Sequence, residues 1–160
     1  MTLTAVLIGM LAGILLTGIA VIIMMRSKMM VTYTSSKNFE DTCQAVEDTV
    51  AGFKSEGWGF PIPKWHFYKT FTDKGLAPAG IRNIMVYFVC NAKLAEGVIS
   101  SDYRMTGMMP CSWAVMEKED GTVEIAKMNV GLMALMFPGA IRTPMKHVEE
   151  TDSRMLQTIL

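Results

Sequence analysis

Thr2 to Met25 reads TLTAVLIGMLAGILLTGIAVIIMM, 24 residues without a charge and with three threonines as the only polar side chains. At about 1.5 Å per helical residue the run spans about 36 Å, enough to cross a hydrocarbon core of about 30 Å with some tilt. No other run in the chain approaches it. Residues 1–30 therefore read as a transmembrane anchor with its juxtamembrane segment, and 31–160 as one domain held at a membrane surface. A secretory signal fits poorly. No Lys or Arg precedes the run, the run is longer than the usual apolar region of about 7–15 residues, and Met24-Met25-Arg26-Ser27-Lys28 offers no small-x-small cleavage site. Ala5, Gly9, Gly13 and Thr17 recur at spacing four on one helical face, and Gly9 to Gly13 is a GxxxG pair that lets a second helix approach closely. Arg26 and Lys28 follow the run and nothing basic precedes it, so the positive-inside rule places the domain in the cytoplasm by a narrow margin.

Beyond the anchor about 130 residues remain, enough for one hydrophobic core. Fifteen basic and fifteen acidic side chains cancel, which gives no footprint for nucleic acid. The chain has only three cysteines, too few for a disulfide framework, and only two histidines. Its compositional peculiarity is sixteen methionines, which cluster at 24–25, 29–30, 105 with 108–109, and 133 with 136.

Val31 to Ser35 has strand composition. Asn38 is placed to cap a helix, with Asp41 three residues on, and Phe39, Cys43, Val46, Val50 and Phe53 form its apolar face. Gly57 is a helix stop. Prolines 61 and 63 break the chain, and residues 65–75 fit a short helix or a strand equally. Residues 84–90, IMVYFVC, are an apolar run of strand length, expected to be central and buried. Asn91 caps a short helix, and 102–110 is irregular. The strand-like runs 112–118 and 122–128 flank Glu119-Asp120-Gly121, a hairpin signal. Thr143 as cap and Pro144 at the first helical position begin a terminal helix, with Met145, Val148, Met155 and Ile159 as its stripe. The expected fold class is α+β: one transmembrane helix, then strand, helix, a multistrand antiparallel sheet and a helix.

Three stretches resemble one family, the "domain of unknown function 302". They are VTYTSSKNFEDTCQAVEDTVAGF from Val31, Cys90-Asn91 after a strand, and Met109-Pro110-Cys111 opening a hairpin that closes on Lys127-Met128-Asn129. The resemblance covers about 31–150. It implies a small, often dimeric α+β fold and no established activity. The sequence departs from the family pattern at Ala92, where proline is common, and at Met116, where an aromatic is common.

Cys90 ends one strand and Cys111 begins another, which leaves three readings open: buried thiols, a redox or sulfur-handling pair, or metal ligands. Cys90 precedes a helix start, which can favour a thiolate. Met108 and Met109 beside Cys111 are soft ligands suited to copper or haem, and methionine is equally a filler of cores. His66 and His147 stand in no ligand spacing, and the common zinc, nucleotide and nucleophile motifs do not occur. NVGLMALMFPGA (129–140) is uncharged. Exposed, its Leu132, Met133, Leu135, Met136 and Phe137 mark a partner or membrane contact; buried, they are core.

Together these features suggest a single-pass, non-catalytic accessory subunit of a bacterial inner-membrane complex, energy-conserving or sulfur-oxidising. Its partners would be the bilayer, other integral membrane subunits and a second copy of itself, with no nucleic acid. The alternative is a membrane-tethered redox or sulfur carrier using Cys90 and Cys111, with haem or copper as its cofactor. A homodimeric sensor domain without chemistry is a third reading.

Overall fold

The computed structural model describes residues 2–160. Helix α1, Leu3–Lys28, contains no buried residue and is long and apolar enough to cross a membrane. It runs into strand β1, Met30–Ser35, with only Met29 between them. The junction is fastened: the Met29 N–H donates to Met25 O at 3.0 Å, and the Asn129 N–H donates to Met29 O at 2.8 Å.

After β1 come helix α2 (Phe39–Gly52), the two-residue strands β2 (Trp58–Gly59) and β3 (Trp65–His66), and helix α3 (Phe67–Thr72). Strand β4 (Ile81–Asn91) and helix α4 (Ala92–Ser101) follow, then the hairpin β5 (Cys111–Lys118) and β6 (Val123–Met128). Helices α5 (Val130–Ala134) and α6 (Gly139–Ile159) complete the order. The strands form an antiparallel sheet ordered β1-β6-β5-β4-β2, with β3 also paired to β4.

The register decides which side chains enter the core. Tyr87 stands opposite Trp113, Val115 opposite Ile125, and Ile125 opposite Tyr33. This face meets α2 and α6 through Phe39, Val46, Val50, Met155 and Ile159, with Val46, Trp113, Ile125 and Met155 fully enclosed. Each such aliphatic side chain contributes about 1.5–3 kcal/mol when removed from water. Asn38 caps α2 as its sequence position implies: its Oδ1 accepts from the Asp41 N–H at 2.8 Å.

Three details depart from expectation. Strand β4 is not central: β5 holds the middle, and β4 is flanked on its other side only by β2 and β3. Its burial therefore alternates toward the C-terminal end, with Tyr87 and Val89 enclosed and Phe88 and Cys90 half-buried. An apolar run thus arose on a strand with one face incompletely covered. Second, α6 begins at Gly139, and Pro144 lies inside it. Pro138, extended, holds the cap position, and the Ile141 and Arg142 N–H groups both donate to its carbonyl. The Arg142 guanidinium also ties α6 back to the carbonyls of Ala134 and Leu135. Third, 65–75 is both alternatives in succession, two strand residues and then α3, whose N-terminus His66 caps through Nδ1.

Candidate functional site

Strand alternation on β6 sends Val123 and Ile125 into the core, and Lys127 shares their parity. On α6, Asp152 lies four residues after Val148 and three before Met155, within the apolar stripe. Helix and strand face each other, so both charges are buried: Lys127 is 6% exposed and Asp152 1%. Lys127 Nζ lies 2.5 Å from Asp152 Oδ2. Apart from this ion pair, neither Asp152 oxygen has a hydrogen-bond partner. Trp113, opposite Lys127 across β5 and β6, places its ring 5.8 Å below the ammonium, and its Nε1–H also lacks an acceptor. Burial pushes the Asp152 carboxyl above its ordinary range, partly offset by Lys127.

Beside this pair opens a cavity of about 330 Å³. Its walls come from the end of β4, α4, the 105–112 segment, α5 and α6, and they are mainly apolar: Trp58, Leu94, Val98, Met105, Met133 and Met145. Lys127 and Asp152 supply the polar end. Asn91 also lines the cavity, and its side chain is committed to structure. Its Oδ1 accepts from the Lys93 and Leu94 N–H groups at 3.1 and 3.2 Å, and its Nδ2 donates to Glu56 O at 2.9 Å. Gly57, at φ 90°, leaves room for that amide, since a Cβ there would sit 3.3 Å from Asn91 Nδ2.

Both expected cysteines line the cavity, as do Met108 and Met109. Strands β4 and β5 are neighbours, but Cys111 pairs with Val89, one position from Cys90. The pleat therefore turns adjacent side chains to opposite faces. Both thiols are free. Burial pushes Cys111 up to about 11, with Asp152 and Cys90 adding to the shift, and burial likewise raises Cys90 despite its place before α4. Cys43 is buried on α2, where burial raises it too. His66 is a helix cap, and His147 sits on the surface 3.4 Å from Glu150. Among the described residues, no three His, Cys, Asp or Glu side chains converge as a ligand set.

Ala5, Gly9, Gly13 and Thr17 all lie exposed on α1. Of the apolar 129–140 run, Met133 is buried, Leu132 and Phe137 are half-buried, and Leu135 and Met136 are exposed. The run is thus divided between core and surface. Sequence reasoning gave no role to Lys127 and Asp152. The available signal was a lysine at inward parity on an apolar strand together with an aspartate in the gap of an apolar helical stripe.

Fold and site define a small antiparallel α+β domain that encloses an amphipathic cavity behind an apolar N-terminal helix. The chain belongs to the family described as Domain of unknown function DUF302, which matches residues 31–159 and so reaches through α6. A crystal structure of an uncharacterized conserved protein DUF302 from Bacillus stearothermophilus has the same fold, with a TM-score of 0.69 and 21% identity over 82% of this chain and 98% of that one. Comparison with curated proteins finds no match.

Proposed function

We propose that this chain is a non-catalytic accessory subunit of a bacterial membrane complex, anchored by α1 in the inner membrane. The observation that carries this reading is the surface of α1. It is apolar around its full circumference, buries no residue against its own domain, and ends in Arg26 and Lys28. A helix that is apolar all round needs a nonaqueous environment, which a bilayer and neighbouring helices supply. The raised thiols and the structural duties of Asn91 and His66 also favour a role without catalysis. An energy-conserving or sulfur-oxidising assembly is the partner class we propose.

The test is tagged purification in mild detergent. The wild-type chain should bring integral membrane subunits with it. Gly9→Leu/Gly13→Leu should release them while the domain's fold is unchanged, because nothing in this chain lies within 4 Å of a Cβ at either position. A wild-type chain that elutes alone and monodisperse refutes the proposal.

One observation favours a second reading. Cys90, Cys111, Met108 and Met109 line one cavity, as a membrane-tethered redox or sulfur carrier with copper or haem would require. A visible absorption spectrum and intact mass of the purified chain decide it: a bound chromophore or added sulfur supports the carrier, and neither rejects it.

A further inference from the structure

The cavity beside Lys127 and Asp152 combines three features that none of the roles above requires. It is large for a folding defect: about 330 Å³ lies at the lower end of small-molecule sites, which run from about 300 to 1,000 Å³. Its walls are mostly apolar, so a chain of ordered waters would lack the two to four polar partners each water needs. Its polar end holds a carboxylate that is 1% exposed and has no hydrogen-bond partner beyond the ion pair with Lys127. Buried acceptors are ordinarily satisfied, and Asp152 is among the residues that line the cavity.

The position of the cavity indicates its source of ligand. Met105, Val130, Met133 and Met145, which line it, belong to a cluster that also packs against Met29, at the end of α1. The cavity wall is therefore continuous with the point where the anchor leaves its apolar span. Leu135 and Met136 are exposed on the loop that follows α5.

We propose that this cavity binds a neutral lipophile, drawn from the bilayer, whose single hydroxyl head donates a hydrogen bond to Asp152. The head is neutral because Lys127 and Asp152 already cancel, and a third charge would be buried unpaired. It is a donor because carboxylate oxygens only accept. The body is apolar and small, one chain or one ring, to suit the walls and the volume. This inference is independent of what α1 docks against.

The full-length chain in phosphatidylcholine nanodiscs provides the test. All three tryptophans lie in the domain, and Trp58 lines the cavity. Bromine quenches tryptophan on contact, so the probes are bromooctanol, bromooctane and bromooctanoate, all brominated at the tail. Bromooctanol should quench saturably, at a membrane mole fraction about tenfold below the other two, the factor expected for a hydrogen bond to a charged acceptor. Met105→Phe, which narrows the cavity, should weaken bromooctanol quenching several-fold. Quenching that is linear and equal for the three probes, from bilayer contact alone, overturns the proposal. So does the absence of quenching by bromooctanol, the result expected if only water occupies the cavity.

Discussion

Replacing Lys127 by methionine removes the one cation facing Asp152 and keeps the stem that lies over Trp113. The stranded carboxylate has two options: stay charged without a partner, or take a proton. The second limits the loss. Holding a proton at about pH 7 on an aspartate of ordinary value 3.8 costs about 4 kcal/mol, in line with the about 3–5 kcal/mol typical of breaking a buried pair. At about pH 5 the same limit falls to about 1.6 kcal/mol. The sign follows from the direction of the shift. The folded-state value is raised, so the native state holds the proton more tightly than the unfolded chain. Stability is then greatest below the unfolded value of 3.8 and declines as pH rises through the folded one. Loss of the ammonium raises the folded value further, and Glu149 pushes in the same direction. Lys127→Met should therefore be mildly destabilising at about pH 5 and severely so at about pH 8. Lys127→Met/Asp152→Leu should regain most of the loss, because a packed apolar pair replaces a desolvated ionic one. Urea unfolding of the full chain in detergent, followed by tryptophan fluorescence at both pH values, reads all three quantities. A single-variant cost independent of pH, or a double variant as damaged as the single, refutes this account of the buried pair.

Other outcomes follow from the same geometry. Cys111, with its thiol pushed up to about 11, carries about a hundredfold less thiolate near neutral pH than an ordinary thiol of 9.0. Its alkylation, timed by peptide mass spectrometry, should be slower by at least that factor than in urea-unfolded chain, and equal rates would contradict the burial assigned to it. Asn91→Ala removes the cap of α4 and strands the Glu56 carbonyl. It should cost about 2–3 kcal/mol in urea unfolding, against about 1 kcal/mol for Asn38→Ala, which removes a cap at an exposed site. Similar costs at the two positions would show that the Glu56 bond contributes nothing.

Asn91 illustrates how much of the site can be read locally. Its capping role follows from its position before AKLAEGVIS, and α4 starts where that role requires. Its second bond, to Glu56 O, joins residues 35 positions apart, and no local pattern announces it. The terminal helix shows the reverse. Thr143-Pro144 is a strong local start signal, but Pro138, Arg142 and packing against α5 extend the helix five residues earlier, from Pro144 back to Gly139, with the proline inside. Tertiary contact outweighed the local preference because Arg142 satisfies two carbonyls at the turn between the helices.

The long apolar N-terminal helix, the alternation of Val123, Ile125 and Lys127, the caps at Asn38 and Asn91 and the Asp120-Gly121 turn are properties of neighbours in the chain. Periodicity and local hydrogen bonding fix them, and the sequence alone determined them. Three features needed the fold. The register of β4 on β5 offset Cys90 from Cys111 by one position and turned them to opposite faces. The packing of α6 on β6 converted two charges that look misplaced in sequence into one buried pair. The meeting of α4, α5 and α6 at the end of the sheet left a cavity beside that pair. Each depends on how residues distant in the chain, such as Cys90 and Cys111 or Lys127 and Asp152, are placed relative to one another, and no short window of sequence contains the distances that decide them.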